Sequence, residues 1–313
     1  MLSRIADSLY WMHRYMERAD GMLRLLKTSY ILSFDKVQAS GITWQTALEV
    51  FTNLPTDDIS LLKEDHAASL KYLITDTSNA NSLRCIITRA RENARGVQDQ
   101  VTKEVWEQVN HLYHMVNHPA LEDKLNNAEA IVVIDSLIAG TDQFCGIADS
   151  TMPRGQGWNY MNIGKYSERC LLTVALVYHF YKQIDFDLRN EQDILFWRSL
   201  LLSLSGYELH LKKYSNYNHN DNVANQVLFD QYFPRSLHYS LERAQKYLGD
   251  IIYANPVEGI NELKNSFGRL NSQIKYADLT RINQIGIEPY LNSIRSELNA
   301  FGSLFGQIYF SYS

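Results

Sequence analysis

The sequence predicts an all-α protein, a helical bundle built from two tandem, similar halves. Three observations lead there. Six Pro and 15 Gly are few for 313 residues, so turns are sparse and elements long. Apolar residues recur at three- and four-residue spacing, and no segment alternates as a strand would. A set of residues also appears twice in the same order. Tyr15-Met16-Glu17-Arg18 returns as Tyr166-Ser167-Glu168-Arg169. Asp76, Ser82-Leu83 and Arg89-Ala90 return as Asp230, Ser236-Leu237 and Arg243-Ala244, and Trp44 has a counterpart in Trp197. The offset drifts from 151 to 153 to 154 residues, as insertions in surface loops would make it drift. A period this long points to a duplicated domain and not to a solenoid. The expected division is a first repeat at 1–150 and a second at 151–313, packed as one globular unit.

The elements follow in order. Ser3 can cap a first helix that runs to about Leu32. Its stripe Ile5, Leu9, Met12, Met16, Ala19, Leu23, Leu26, Tyr30 has the spacing of a helix packed lengthwise on a neighbour. Trp11, Tyr15, Met22 and Leu25 form a second stripe, to which Arg18 belongs. Glu17 lies on the other flank with His13, Asp20 and Arg24. Helices are expected around Thr43–Phe51 and Ser60–Leu73, with a turn at Asn53–Asp57 between them. Thr77–Asn81 reads as a loop. Further helices start near Asn81 and cover Thr102–Val116 and Asn127–Ile147. The loop Ser150–Gly157 is the clearest boundary. Beyond it, helices are expected at Trp158–Gln183, Glu191–Tyr214, Pro234–Tyr253, Val257–Ile274 and Glu288–Tyr309. Tyr214–Asn225 is polar and reads as a mobile loop.

The helix at 158–183 is apolar nearly all round, which marks a central helix. Between Trp158 and Tyr181 its only charges are Lys165, Glu168 and Arg169. A lone buried charge costs several kcal/mol, so Glu168 and Arg169 need partners. Adjacent helical residues point about 100° apart and pair poorly with each other. The second repeated cluster offers candidates in Asp76, Arg89, Asp230 and Arg243, across a pseudo-twofold axis. Arg suits the role because its fork grips a carboxylate at two points. Glu17, Arg18, Glu168 and Arg169, with those four, therefore form either a satisfied core network or a cleft for a carboxylate or phosphate ligand.

The segments MLSRIADSLYWMHRYMERAD and TMPRGQGWNYMNIGKYSERC closely resemble the bacterial alpha-E family, a helical domain named for its Glu-Arg motif. NANSLRCIITRARENARGVQDQVTKEVWEQVNHLY and FPRSLHYSLERA are similar to two more of its segments, so the resemblance spans essentially the whole chain. Departures are mild. Cys170 stands where the family has Ala, His13 where it has Gly, and Asn79-Ala80-Asn81 replaces the Pro-containing form seen at Phe233-Pro234-Arg235. The resemblance implies no established activity. It implies a neighbourhood: members are encoded beside, or fused to, circularly permuted ATP-grasp proteins and transglutaminase-like proteins. That context points to peptide or amide-bond synthesis, with a peptide or anionic small molecule as ligand.

Other constellations were weighed on their chemistry. Glu107, His111, His114 and His118 share one helix face, a spacing that can hold a transition metal. No complete ligand set accompanies them, so no metal is expected. Paired Glu-x-x-His motifs of di-iron bundles are missing. Gly155-Gln-Gly157 is too short for a phosphate loop, so no ATP site and no cofactor are expected. Arg91, Glu92 and Arg95 read as a solvated face. Cys85 and Cys170 sit in apolar helical settings, as inert thiols do.

A formal charge of −5 without a dense Lys/Arg run argues against nucleic acid. Three scattered cysteines fit a reducing compartment. Met1–Asp7 is too charged for a signal peptide, and the uncharged run Cys170–Tyr181 is too short to span a bilayer. The expectation is a cytoplasmic chain without membrane contact and without autonomous catalysis. Three roles follow: a helical accessory or substrate-binding partner in an ATP-grasp amidoligase system, an enzyme of amide metabolism using a Glu-Arg cleft, or a purely structural bundle.

Overall fold

The computed structural model describes residues 1–34, 39–126, 129–214 and 218–310. Among these residues all regular structure is helical. The chain forms two compact units, Trp11–Pro153 and Met1–Tyr10 with Arg154–Ser313. Helix α1 (Ser3–Leu32) contributes its first residues to one unit and the rest to the other.

In the unit Trp11–Pro153, α1 is followed by α2 (Ala39–Phe51), α3 (Thr56–Leu62), α4 (His66–Ile74), α5 (Leu83–Gly96), α6 (Lys103–Val116), α7 (Leu121–Leu125) and α8 (Ala130–Thr151). The starts of α4, α5 and α6 are set by Asp65, Ser82 and Thr102, whose side chains accept from Ala68, Cys85 and Val105 amides. The helix expected at 60–73 is thus two helices, because Asp65 ends one ladder and caps the next. α5 buries Leu83, Ile86, Ile87, Ala90 and Ala94, and α6 answers with Val105, Val109, Leu112 and Val116. α6 packs in turn on α8. The expected start of α8 at Asn127 lies outside the described residues.

Helix α8 is also the one described helix long and apolar enough to cross a membrane, with 33% of its most apolar window buried. Its Asp135 pairs with Lys27 of α1 at 2.7 Å, and its Asp142 pairs with Arg24.

In the other unit, α9 (Gln156–Lys182) is central. Apart from Lys165, Glu168 and Arg169, its charges fall only at its last residue, and the helix is buried on most sides. It is followed by α10 (Ile194–Ser203), α11 (Tyr207–Lys213), α12 (His219–Ala224), a π-helical turn (Asn225–Phe229), α13 (Leu237–Ala254), α14 (Ile260–Lys275), α15 (Leu279–Ile285) and α16 (Ile287–Phe310). α9 packs most extensively on α13, and next on α16. Gly164 admits the start of α1: a Cβ there would sit 2.3 Å from the Tyr10 carbonyl oxygen. Tyr10 then stacks into Phe305 and Phe310 of α16.

Two expectations are corrected here. The helix expected at 191–214 breaks at Ser205, whose φ is 55°, and Gly206. A Cβ on Gly206 would meet Phe233 at 2.7 Å and Gln226 at 2.8 Å, so the packing there favours glycine. The polar stretch Tyr214–Asn225 contains helix α12, anchored by Asn220. That side chain accepts from the Trp197 indole at 2.9 Å and donates to the Leu188 and Asn190 carbonyls. Residues 215–217 of that stretch lie outside the described residues.

Candidate functional site

Glu17-Arg18 lies in the unit Trp11–Pro153 and Glu168-Arg169 in the other. Glu17 on α1 and Glu168 on α9 are 2% and 1% exposed, and both are engaged by other groups. A sealed carboxylate of this kind is held by fixed neighbours and has no open approach. The adjacent arginines, one helix step away, turn toward the surface. Arg18 is half-buried and Nη1 donates to Asn81 Oδ1 at 3.1 Å. Arg169 is half-buried and Nη1 donates to the Pro234 carbonyl at 3.1 Å. Each arginine therefore grips the turn just ahead of the next repeated segment, inside its own unit.

Those two turns are built alike. Asp76 Oδ1 accepts from the Ser78 amide at 2.7 Å, and Asp230 Oδ1 from the Tyr232 amide at 2.8 Å. The Ser82 amide donates to the Asn79 carbonyl and the Ser236 amide to the Phe233 carbonyl, both at 2.9 Å. Ser82 and Ser236 then cap α5 and α13. The repeated Asp and Ser are thus an Asx turn and a helix cap, which is a local reason for their spacing.

The second-cluster charges have the following surroundings. Asp230 is 7% exposed and takes its ion partner from Lys213, at 2.7 Å. Burial pushes the Asp230 carboxyl up, but the Lys213 ammonium and the Tyr232 and Phe233 amides outweigh it and hold it below its usual value. Arg243 is exposed on α13 and lies 4.9 Å from the Tyr239 ring centre. Arg89 is half-buried on α5, where its carbonyl accepts from Asn93. Asp76 borders a cleft of about 490 Å³ with Lys71, Arg84 and Glu122.

One neighbour that feels the Glu17 charge, Arg24, lies on its own flank of α1. Asp20 is 5% exposed, accepts from Arg24 Nε at 2.9 Å and from Thr141 at 3.2 Å. Burial pulls the Arg24 guanidinium down, but the fields of Asp20, Asp142 and Glu17 raise it overall. Glu17, Asp20, Arg24 and Asp142 therefore act as one electrostatic group in that unit. The sequence placed Asp20 and Arg24 on the Glu17 flank, but Asp142 and Lys213 carry no motif that could have named them.

Glu107 pairs with Lys103 at 3.5 Å, His111 and His114 are exposed, and His118 Nδ1 accepts from the Ala120 amide. Among the described residues, no three His, Cys, Asp or Glu side chains come together as a metal site. Cys85, Cys145 and Cys170 form no disulfide.

Comparison with known proteins adds a family. Residues 1–310 match the model of Alpha-E, described as a predicted alpha-helical domain with a conserved ER motif. Uncharacterized proteins of Mycobacterium bovis and of Mycobacterium tuberculosis are 27% identical over 267 residues, covering 79% of this chain. The chain spans 30% of the length of those relatives. No solved structure matches. The sequence carries Glu-Arg pairs at Glu17-Arg18, Glu168-Arg169 and Glu242-Arg243, and the chain belongs to the Alpha-E family.

Proposed function

We propose that this chain is a non-catalytic helical module, a docking or substrate-binding partner for an ATP-grasp amidoligase. The observation that carries the reading is the state of the ER pairs. Glu17 and Glu168 are sealed, and Arg18 and Arg169 each donate to the turn ahead of a capped helix. A general acid or base must reach a substrate proton, and a sealed carboxylate does not. The length of the relatives fits a module that works joined to other chain. The matched turns also support a common origin of the two halves by duplication.

The purely structural reading is favoured by the same burial and differs only in having no partner. Co-purification with an ATP-grasp protein encoded nearby separates them. A stable complex and a changed rate of ATP-dependent amide formation are expected. Absence of both overturns the proposal. Glu168→Gln tests the enzyme reading: a catalytic carboxylate would lose about 100-fold or more in rate, whereas a module keeps the stimulation it gives its partner.

A further inference from the structure

The face shared by α9 and α13 carries a second pattern that the ER motif does not explain. Four aromatic rings run along it. Tyr166 and Tyr247 are stacked, with centres 6.0 Å apart and planes 12° apart. Tyr239 lies 6.5 Å from Tyr166 at the other side. Burial first, and the field of Tyr166 second, push the Tyr247 hydroxyl up, and the neighbouring Trp158 indole opposes them. Cations sit against these rings: Lys165 at 5.7 Å from Tyr166, Arg243 at 4.9 Å from Tyr239 and Lys246 at 5.7 Å from Tyr247. Arg243 and Lys246 are exposed and Lys165 is half-buried. Among the described residues, none of these three has a carboxylate as ion partner. Glu242 and Asp250, each one turn from Lys246, are the exposed acids beside these cations on α13.

With Arg169 at 5.3 Å from the Tyr166 ring, four cations line this face against the two acids Glu242 and Asp250. Lys and Arg offer donors only. These cations therefore present donors to whatever lies above. A ligand for this face must bring acceptors and negative charge.

We propose that the α9–α13 face, at Lys165, Arg243 and Lys246, is a docking surface for an acidic segment of a partner protein. Charge complementarity selects the occupant. A polynucleotide fits less well. Trp158 and Tyr166 are each 9% exposed, so their faces are closed to base stacking, and the chain as a whole carries −5. The inference goes beyond the ligase reading, since the face can hold an acidic segment whatever the partner's chemistry.

The full chain is titrated with a fluorescent Glu-Ala repeat peptide, its Gln-Ala counterpart and an oligo(dT) strand. Binding of the Glu-Ala peptide is expected, weakening as salt rises. The combined variant Lys165→Glu, Arg243→Glu, Lys246→Glu should lose about tenfold or more in affinity, the sum of three modest charge contacts. Lys275→Glu, on an exposed position of α14, should lose little. Circular dichroism checks that the variants fold, and Gln at the three positions replaces Glu if they do not. Three results each overturn the proposal: no binding of the Glu-Ala peptide, equal loss in Lys275→Glu, or oligo(dT) bound as tightly as the peptide.

Discussion

Arg169 Nη1 reaches the Pro234 carbonyl oxygen at 3.1 Å, and this bond fastens the middle of α9 to the turn that opens α13. Thr173, one turn further along α9, donates to the neighbouring Arg235 carbonyl at 3.1 Å. The ER arginine is therefore a clamp between a central helix and the largest packing surface of its unit. Arg18 does the same through Asn81, a side-chain acceptor where the other unit uses main chain.

A hydrogen bond from a charged donor is worth roughly 1.5–3 kcal/mol. Arg169→Ala should lower stability by about 1–2 kcal/mol, since the side chain is only half-buried and water replaces part of the bond. Arg169→Lys should recover little, because an ammonium lacks the fork that lets guanidinium donate and also lie over Tyr166. Urea unfolding measures both. Equal stability of wild type and Arg169→Ala would remove the clamp from the account.

Gly164 gives a sharper mechanical test. A Cβ there lies 2.3 Å from the Tyr10 carbonyl oxygen, which is backbone and cannot swing aside. Gly164→Ala should cost about 1–3 kcal/mol through overpacking. Gly268→Ala on α14, where a Cβ meets nothing within 4 Å, should instead stabilise by about 0.5–1 kcal/mol. Thermal melts of the two variants should therefore shift in opposite directions. A shared sign would show that helix propensity, and not contact, decides both.

The extent to which the fold was legible follows from range. The stripe of α1 and the apolar girth of α9 are local periodicities, and both helices stand where the periodicity puts them. Capping residues Asp65 and Ser82 were visible too, and Asp65 alone could have split the helix expected at 60–73. The close packing at Gly206 was not legible, because Phe233 and Gln226 come from later in the chain. The site divides in the same way. Burial of Glu168 followed from its apolar helix. The partner of Asp230 did not, since Lys213 lies 17 residues back in an unremarkable polar run. Arg18 and Arg169 reach partners 63 and 65 residues on, a regularity that only the aligned repeats could have hinted at.

The Asp230–Lys213 pair predicts a loss of stability in acid. The folded carboxyl is held below its free value of 3.8. Its ionised form therefore stabilises the fold fully above that value, and the contribution is lost as pH falls from 3.8 through the folded value. Asp230→Asn should be less stable than wild type by roughly 1–3 kcal/mol at neutral pH. The gap should close as the solution is acidified through that window. A gap that stays constant with pH would assign the effect to the amide contacts of the turn and not to the charge.

His210 predicts a second pH dependence, at higher pH and from the opposite chemistry. The ring is 1% exposed, and Nδ1 lies 2.9 Å from Gln226 Oε1. Gln226 in turn donates to the Gly206 carbonyl at 2.7 Å, so its oxygen is the free end and His210 Nδ1 carries the proton. Among the described residues, Nε2 is buried without a partner. Adding a proton there would bury a charge, and the His219 ring 6.2 Å away adds repulsion when charged. Burial first, and His219 second, hold His210 below its ordinary 6.5 against the opposing bond from Gln226. The unfolded chain takes up a proton near 6.5 that the folded chain refuses, so stability falls as pH drops below 6.5 and levels off beneath the folded value. His210→Leu has nothing to titrate at this position. Its urea midpoint should lose less than that of wild type between about pH 7 and pH 5. Parallel midpoints for the two proteins across that range would assign the acid sensitivity to other groups.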